Sequence, residues 1–94
     1  MARVYDSAKL REAARAVRAM RDNLEDGSVK PGYRALQASE PLKGAAAEAM
    51  RDRLTQLEDQ LRQITGELDS VGVELNRYAS ALEQAGNKLK QEML

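Results

Sequence analysis

The segment from Met50 to Leu89, MRDRLTQLEDQLRQITGELDSVGVELNRYASALEQAGNKL, decides the fold. Its apolar positions are Met50, Leu54, Leu57, Leu61, Ile64, Leu68, Val71, Leu75, Tyr78, Leu82, Ala85 and Leu89, and the steps between them alternate four and three. A 3.5-residue repeat kept up over about five heptads gathers these side chains into one seam and predicts a left-handed supercoil against another helix. Leu54, Leu61, Leu68, Leu75, Leu82 and Leu89 take the a positions, while the d positions are mixed: Met50, Leu57, Ile64, Val71, Tyr78 and Ala85. Such a mixture leaves the number of strands in the bundle open. Gly66, Gly72 and Gly86 fall off the seam. Each costs a helix about 1 kcal/mol relative to alanine, so packing must hold this one together.

Toward the N-terminus the seam runs back to Pro41. Proline suits a first helical turn, where its missing N–H is no loss, and it keeps the preceding residue out of the helical region. A helix over about 41–90, capped by Ser39 or Glu40, would extend about 75 Å at 1.5 Å per residue. Before it lies a shorter periodic stretch, in which Leu10, Ala13, Val17, Met20 and Leu24 line up on one face opposite Arg11, Arg15 and Arg18. That spacing predicts a first helix over about 7–26, with Asp6 or Ser7 as N-cap and Gly27 as stop. The breakers Gly27, Pro31 and Gly32 then predict a loop and a short helix over about 27–39, with Tyr33 and Leu36 facing inward, or else a broken continuation of the first helix.

Composition narrows the function classes. Ala, Glu, Lys, Leu and Arg make up more than half of the 94 residues, as in long or coiled helices. Fifteen basic and fifteen acidic groups cancel, so the basic surplus that nucleic-acid binding draws on is missing. Residues 1–40 carry a small basic excess and residues 41–94 an equal acidic one, which favours antiparallel folding of one half on the other. No eighteen apolar residues run together, and the N-terminal Met1-Ala2-Arg3-Val4-Tyr5-Asp6 has no apolar core behind its arginine. The expectation is a chain made in the cytoplasm without a membrane span or a Sec-type signal.

Catalytic and metal chemistry find little to work with. Histidine and cysteine are absent, which removes the usual zinc ligands and thiolate nucleophiles. Asp52, Glu58, Asp59, Glu67, Asp69 and Glu74 are spread around the long helix among Arg51, Arg53 and Arg62, and read as a solvated charged face. Glu58 and Arg62 form an i, i+4 pair worth a few tenths of a kcal/mol. Small all-helical chorismate mutases have about this length and bind a dicarboxylate with arginines. Here, though, the seam is without an inward Arg or Lys. The chain is therefore expected not to be an enzyme, to hold no metal or cofactor, and to work by touching another protein.

One short stretch adds to this reading: Glu40-Pro41-Leu42-Lys43-Gly44-Ala45-Ala46-Ala47-Glu48-Ala49-Met50. Gly44 and the alanines allow close backbone approach where one helix turns into the next. With this central turn and its Ala-rich sequel, the chain resembles the small Trp-x-Gly (WXG) hairpin proteins exported by type VII secretion systems. Leu42-Lys43-Gly44 stands where their turn motif lies, with Leu42 in place of the tryptophan. Their C-terminal export signal pairs a tyrosine with an acidic residue four positions later. Here Tyr78 is followed by Leu82 at that position and by Glu83 one further on.

The resemblance implies a secreted protein that leaves without a signal peptide, or a small targeting partner of a larger LXG-type toxin. Tyr78 and Glu83 are then the candidate export signal. Seam residues Leu54, Leu57, Leu61, Ile64, Leu68, Val71 and Leu75 would pair with a helical partner, as a homodimer or a heterodimer. The expected fold is an all-α antiparallel hairpin with a long second helix and a broken first arm, two such hairpins forming a four-helix bundle. Without the resemblance, the same residues read as a cytoplasmic coiled-coil scaffold or adaptor.

Overall fold

The computed structural model describes residues 6–93. The N-terminal reading of residues 1–5 therefore lies outside the described part. Helix α1 spans Ser7–Leu24 and continues through a π-helical turn, Glu25–Val29, into α2 over Lys30–Ser39. A short connection then leads into α3, Ala45–Met93, which runs back along the first arm. The product is an antiparallel helical hairpin with principal extents of 75 × 20 × 15 Å, and its long second helix is as the seam predicted.

Each boundary has a local cause. Asp6, in an extended conformation, accepts a 2.9 Å hydrogen bond from the Ala8 amide and so satisfies one of the free N–H groups of the first turn. At the far end of the arm, Ser39 Oγ donates to the Leu36 carbonyl at 2.7 Å, and the Leu42 amide donates to the Ser39 carbonyl at 3.0 Å. Gly44 completes the reversal with φ at +107°, a conformation that side-chain-bearing residues rarely adopt. Helix α3 therefore starts at Ala45, four residues after the proline, and the Pro41 start expected from sequence is corrected to this position. Pro41 lies in the turn itself.

A second correction concerns the loop expected over Gly27–Gly32: the segment is helical throughout, which is the alternative reading of a broken continuation of the first helix. A proline inside an α-helix leaves the carbonyl four residues back unpaired and crowds it with its ring. For Pro31 that carbonyl belongs to Gly27. The chain widens here, and the Lys30 amide donates to the Glu25 carbonyl five residues back. One extra residue in the turn accommodates the proline without ending the helix.

The extra residue also changes which side chains face inward. In α1 the enclosed positions follow Ala14 and Arg21. An uninterrupted repeat would next bury Ser28 and Ala35, but the residues that take those roles are Val29, which is buried, and Leu36, which is half-buried. The arm is thus re-phased by one residue at the π turn. Tyr33, expected inside, is exposed, and so is Met20, which is 59% exposed.

Candidate pairing surface

Along α3 the residues that meet the arm are not the a and d pair. Glu58, Thr65 and Ala79 are buried, and Arg51 and Gly72 on the same heptad line are partly enclosed. This is the e line, mostly small or polar, which lets the helices approach closely. The a-position leucines Leu54, Leu61, Leu68, Leu75 and Leu82 are half-buried beside it. On the far flank of those leucines the d line stays open: Met50, Leu57, Ile64, Val71 and Tyr78 are all exposed, Tyr78 by 60%. The seam is thus divided lengthwise, with one flank taken by the arm and the other free.

Helix α1 is divided in the same way. Leu10, Val17 and Leu24 are half-buried, Ala14 and Arg21 lie on the side toward α3, and Met20 points away. At the level of Leu10, with Tyr78, Ala81 and Leu82, the two helices form an apolar cleft of about 430 Å³. The only buried hydrophobic residues among those described are Ala14, Val29 and Ala79. None of them is large, so the hairpin alone has almost no core.

Polar latches hold the other edge. Arg11 forks onto Glu83, with Nη2 to Oε1 at 2.6 Å and Nε to Oε2 at 3.1 Å, and donates to Ser80 Oγ at 3.2 Å. This forked hydrogen bond lowers the Glu83 carboxyl from its ordinary value and raises the Arg11 guanidinium. Arg21 Nε lies 3.2 Å from Asp69 Oδ1; the alignment is too poor for a hydrogen bond, so that contact is electrostatic. At the turn, Arg51 Nη1 donates to the Ser39 carbonyl at 2.8 Å and the Leu42 carbonyl at 2.7 Å. A cation on the last carbonyls of α2 also meets the negative end of the helix dipole. The charge pattern alone reads Arg51 as part of the solvated face. Its position on the e line, one after the d-position Met50, was the available signal.

The sequence-predicted residues distribute accordingly. Leu42, Lys43 and Gly44 are exposed in the connection, where the turn was expected. Of the pairing seam, Leu57, Ile64 and Val71 are exposed, while Leu54, Leu61, Leu68 and Leu75 are shared with the arm. Tyr78 is exposed, whereas Glu83 is tied to Arg11, so the two candidate signal residues have different surroundings. Glu58 is buried beneath the arm, 3.5 Å from Arg62, in an open cleft of about 610 Å³ that also takes in Glu25, Val29 and Tyr33. Its lining mixes acids and bases, Glu25 and Glu58 with Lys30, Arg34 and Arg62.

Among the described residues, no cluster of three or more His, Cys, Asp or Glu could hold a metal ion, and no helix is long and apolar enough to cross a membrane. No family model, curated protein or solved structure matches the chain.

Proposed function

We propose that this chain is a type VII secretion-associated hairpin of the WXG-like class, acting by helix-face pairing as an exported substrate or as the targeting partner of a larger toxin. The observation that carries the pairing is the open d line from Met50 to Tyr78 on a hairpin whose buried apolar residues are small. Leaving such a stripe in water forgoes about 25 cal/mol for every Å² of apolar surface that a partner would cover. Secretion itself is supported by the central Leu42-Lys43-Gly44 turn, the Ala-rich start of α3 and the exposed Tyr78.

Light scattering on the purified chain tests pairing. The expected result is a dimer mass that falls to the monomer in the double variant Leu57→Asp/Val71→Asp. Both positions face away from the arm, so helical circular dichroism should persist. Export into culture medium, lost on Tyr78→Ala, tests the secretory role. A chain that pairs normally but never leaves the cell would instead be a cytoplasmic scaffold, a reading favoured by the unbroken heptad seam.

A further inference from the structure

We infer that the occupant of the open face is a second copy of this chain, running antiparallel, with Ile64 on the two-fold axis. The inference rests on the pairing reading above and specifies its partner and register. The large members of the d line are Met50, Leu57, Ile64, Val71 and Tyr78, with only the small Ala85 beyond them, and these five are centred on Ile64. A two-fold axis there sets Leu57 against Val71 of the second copy and Met50 against its Tyr78. Met50 would then enter the cleft formed by Leu10, Tyr78, Ala81 and Leu82. An unbranched thioether suits such an irregular hollow. A symmetric interface of this kind needs one patch to complement itself.

Charge selects the direction. The g line bordering the open stripe includes Arg53, Gln60, Glu67 and Glu74. In the antiparallel register Arg53 meets Glu74 of the second copy, twice by symmetry, and Gln60 meets Glu67. A parallel pairing would instead set this g line beside the leucine-bearing a line of the second copy, where Arg53 and Glu74 do not meet. With a formal net charge of zero, two copies carry no overall repulsion. The area is also sufficient. From Met50 to Tyr78 the stripe runs about 42 Å at 1.5 Å per residue. Across the 20 Å width of the hairpin this gives about 800 Å² per copy, which is what each partner contributes to a standard stable interface.

The chain has no cysteine, so single substitutions report cleanly. Under mild oxidation Ile64→Cys should convert most of the protein to a disulfide-linked dimer, whereas Asp59→Cys, exposed on the f line across α3 from the d line, should remain unlinked. Mixing Leu57→Cys with Val71→Cys should give more cross-linked product than either variant alone. Arg53→Glu should weaken the dimer by about three- to tenfold, in keeping with exposed ion pairs, and adding Glu74→Arg should restore it. If the wild-type chain is dimeric by mass but Ile64→Cys does not link, the antiparallel register is overturned while pairing survives. If the wild-type chain is a folded monomer at high concentration, the second copy is overturned as occupant, and helix-face pairing survives only with a different protein.

Discussion

The two flanks of α3 are cut from one heptad repeat, yet they do opposite things. On the e side, Glu58, Thr65, Gly72 and Ala79 admit the arm closely, and Arg51, Asp69 and Glu83 tie it down. On the d side, Met50, Leu57, Ile64, Val71 and Tyr78 present larger apolar groups to an empty face. A folded hairpin therefore uses small and polar residues to close on itself and keeps its larger apolar d residues outward. That division suits a half-bundle, because the groups with most to gain from burial are reserved for the intermolecular contact.

Adjacent residues on the two flanks separate these roles. The largest effect should come from the open flank: Ile64→Asp would desolvate a carboxylate in the pairing face. It should raise the dimer dissociation constant by about a hundredfold or more, read by sedimentation, with helicity kept. Next is the closed flank, where Ala79 is fully enclosed. Ala79→Leu should force the arm away and cost about 1–3 kcal/mol in chemical denaturation, as overpacking does. The neighbouring Tyr78→Ala should instead leave the hairpin intact and weaken association.

Smaller effects sharpen the same contrast. Arg51→Ala removes two hydrogen bonds to carbonyls at the turn, one exposed and one part-buried, and should lower stability by about 0.5–1.5 kcal/mol. Gly66→Ala should raise stability by about 0.5–1 kcal/mol, because a methyl group there meets nothing within 4 Å and helix propensity improves. The smallest effect is the acid response of the Arg11 latch. The folded-state Glu83 carboxyl is lowered, so its contribution is complete above the ordinary glutamate value, about pH 4.3. It is lost as pH falls through the lower folded value. Thermal melts in that acid window should shift less for Glu83→Gln than for the wild type.

Much of this architecture was legible beforehand. The 3.5-residue repeat located α3 and its seam, because that signal depends on local spacing, whereas the turn at Gly44 was indicated by the resemblance and the proline pattern put the helix start four residues early. The division of the seam was not legible, since an a and d pattern does not say whether a neighbour packs on the e or the g flank. Met20 was misplaced for that reason, and Tyr33 because the π turn re-phases the arm by one residue. The helical passage through Gly27, Pro31 and Gly32 was hidden too, because breaker residues look alike whether the chain unwinds or merely widens by one residue. Arg51 was missed because its two acceptors belong to a turn whose path no periodicity describes.

The π turn has one further consequence. Heptad helices can slide past each other by seven residues and meet nearly the same surface again, a degeneracy that blurs many coiled coils. Here the arm is a key whose two halves are cut out of step, α1 in one phase and α2 in another. Shifting it by a heptad would carry the phase break away from the stretch of α3 around Glu58 that receives Val29. Only one longitudinal setting satisfies both halves, so the widened turn acts as a detent that fixes how far the arm reaches along its partner helix.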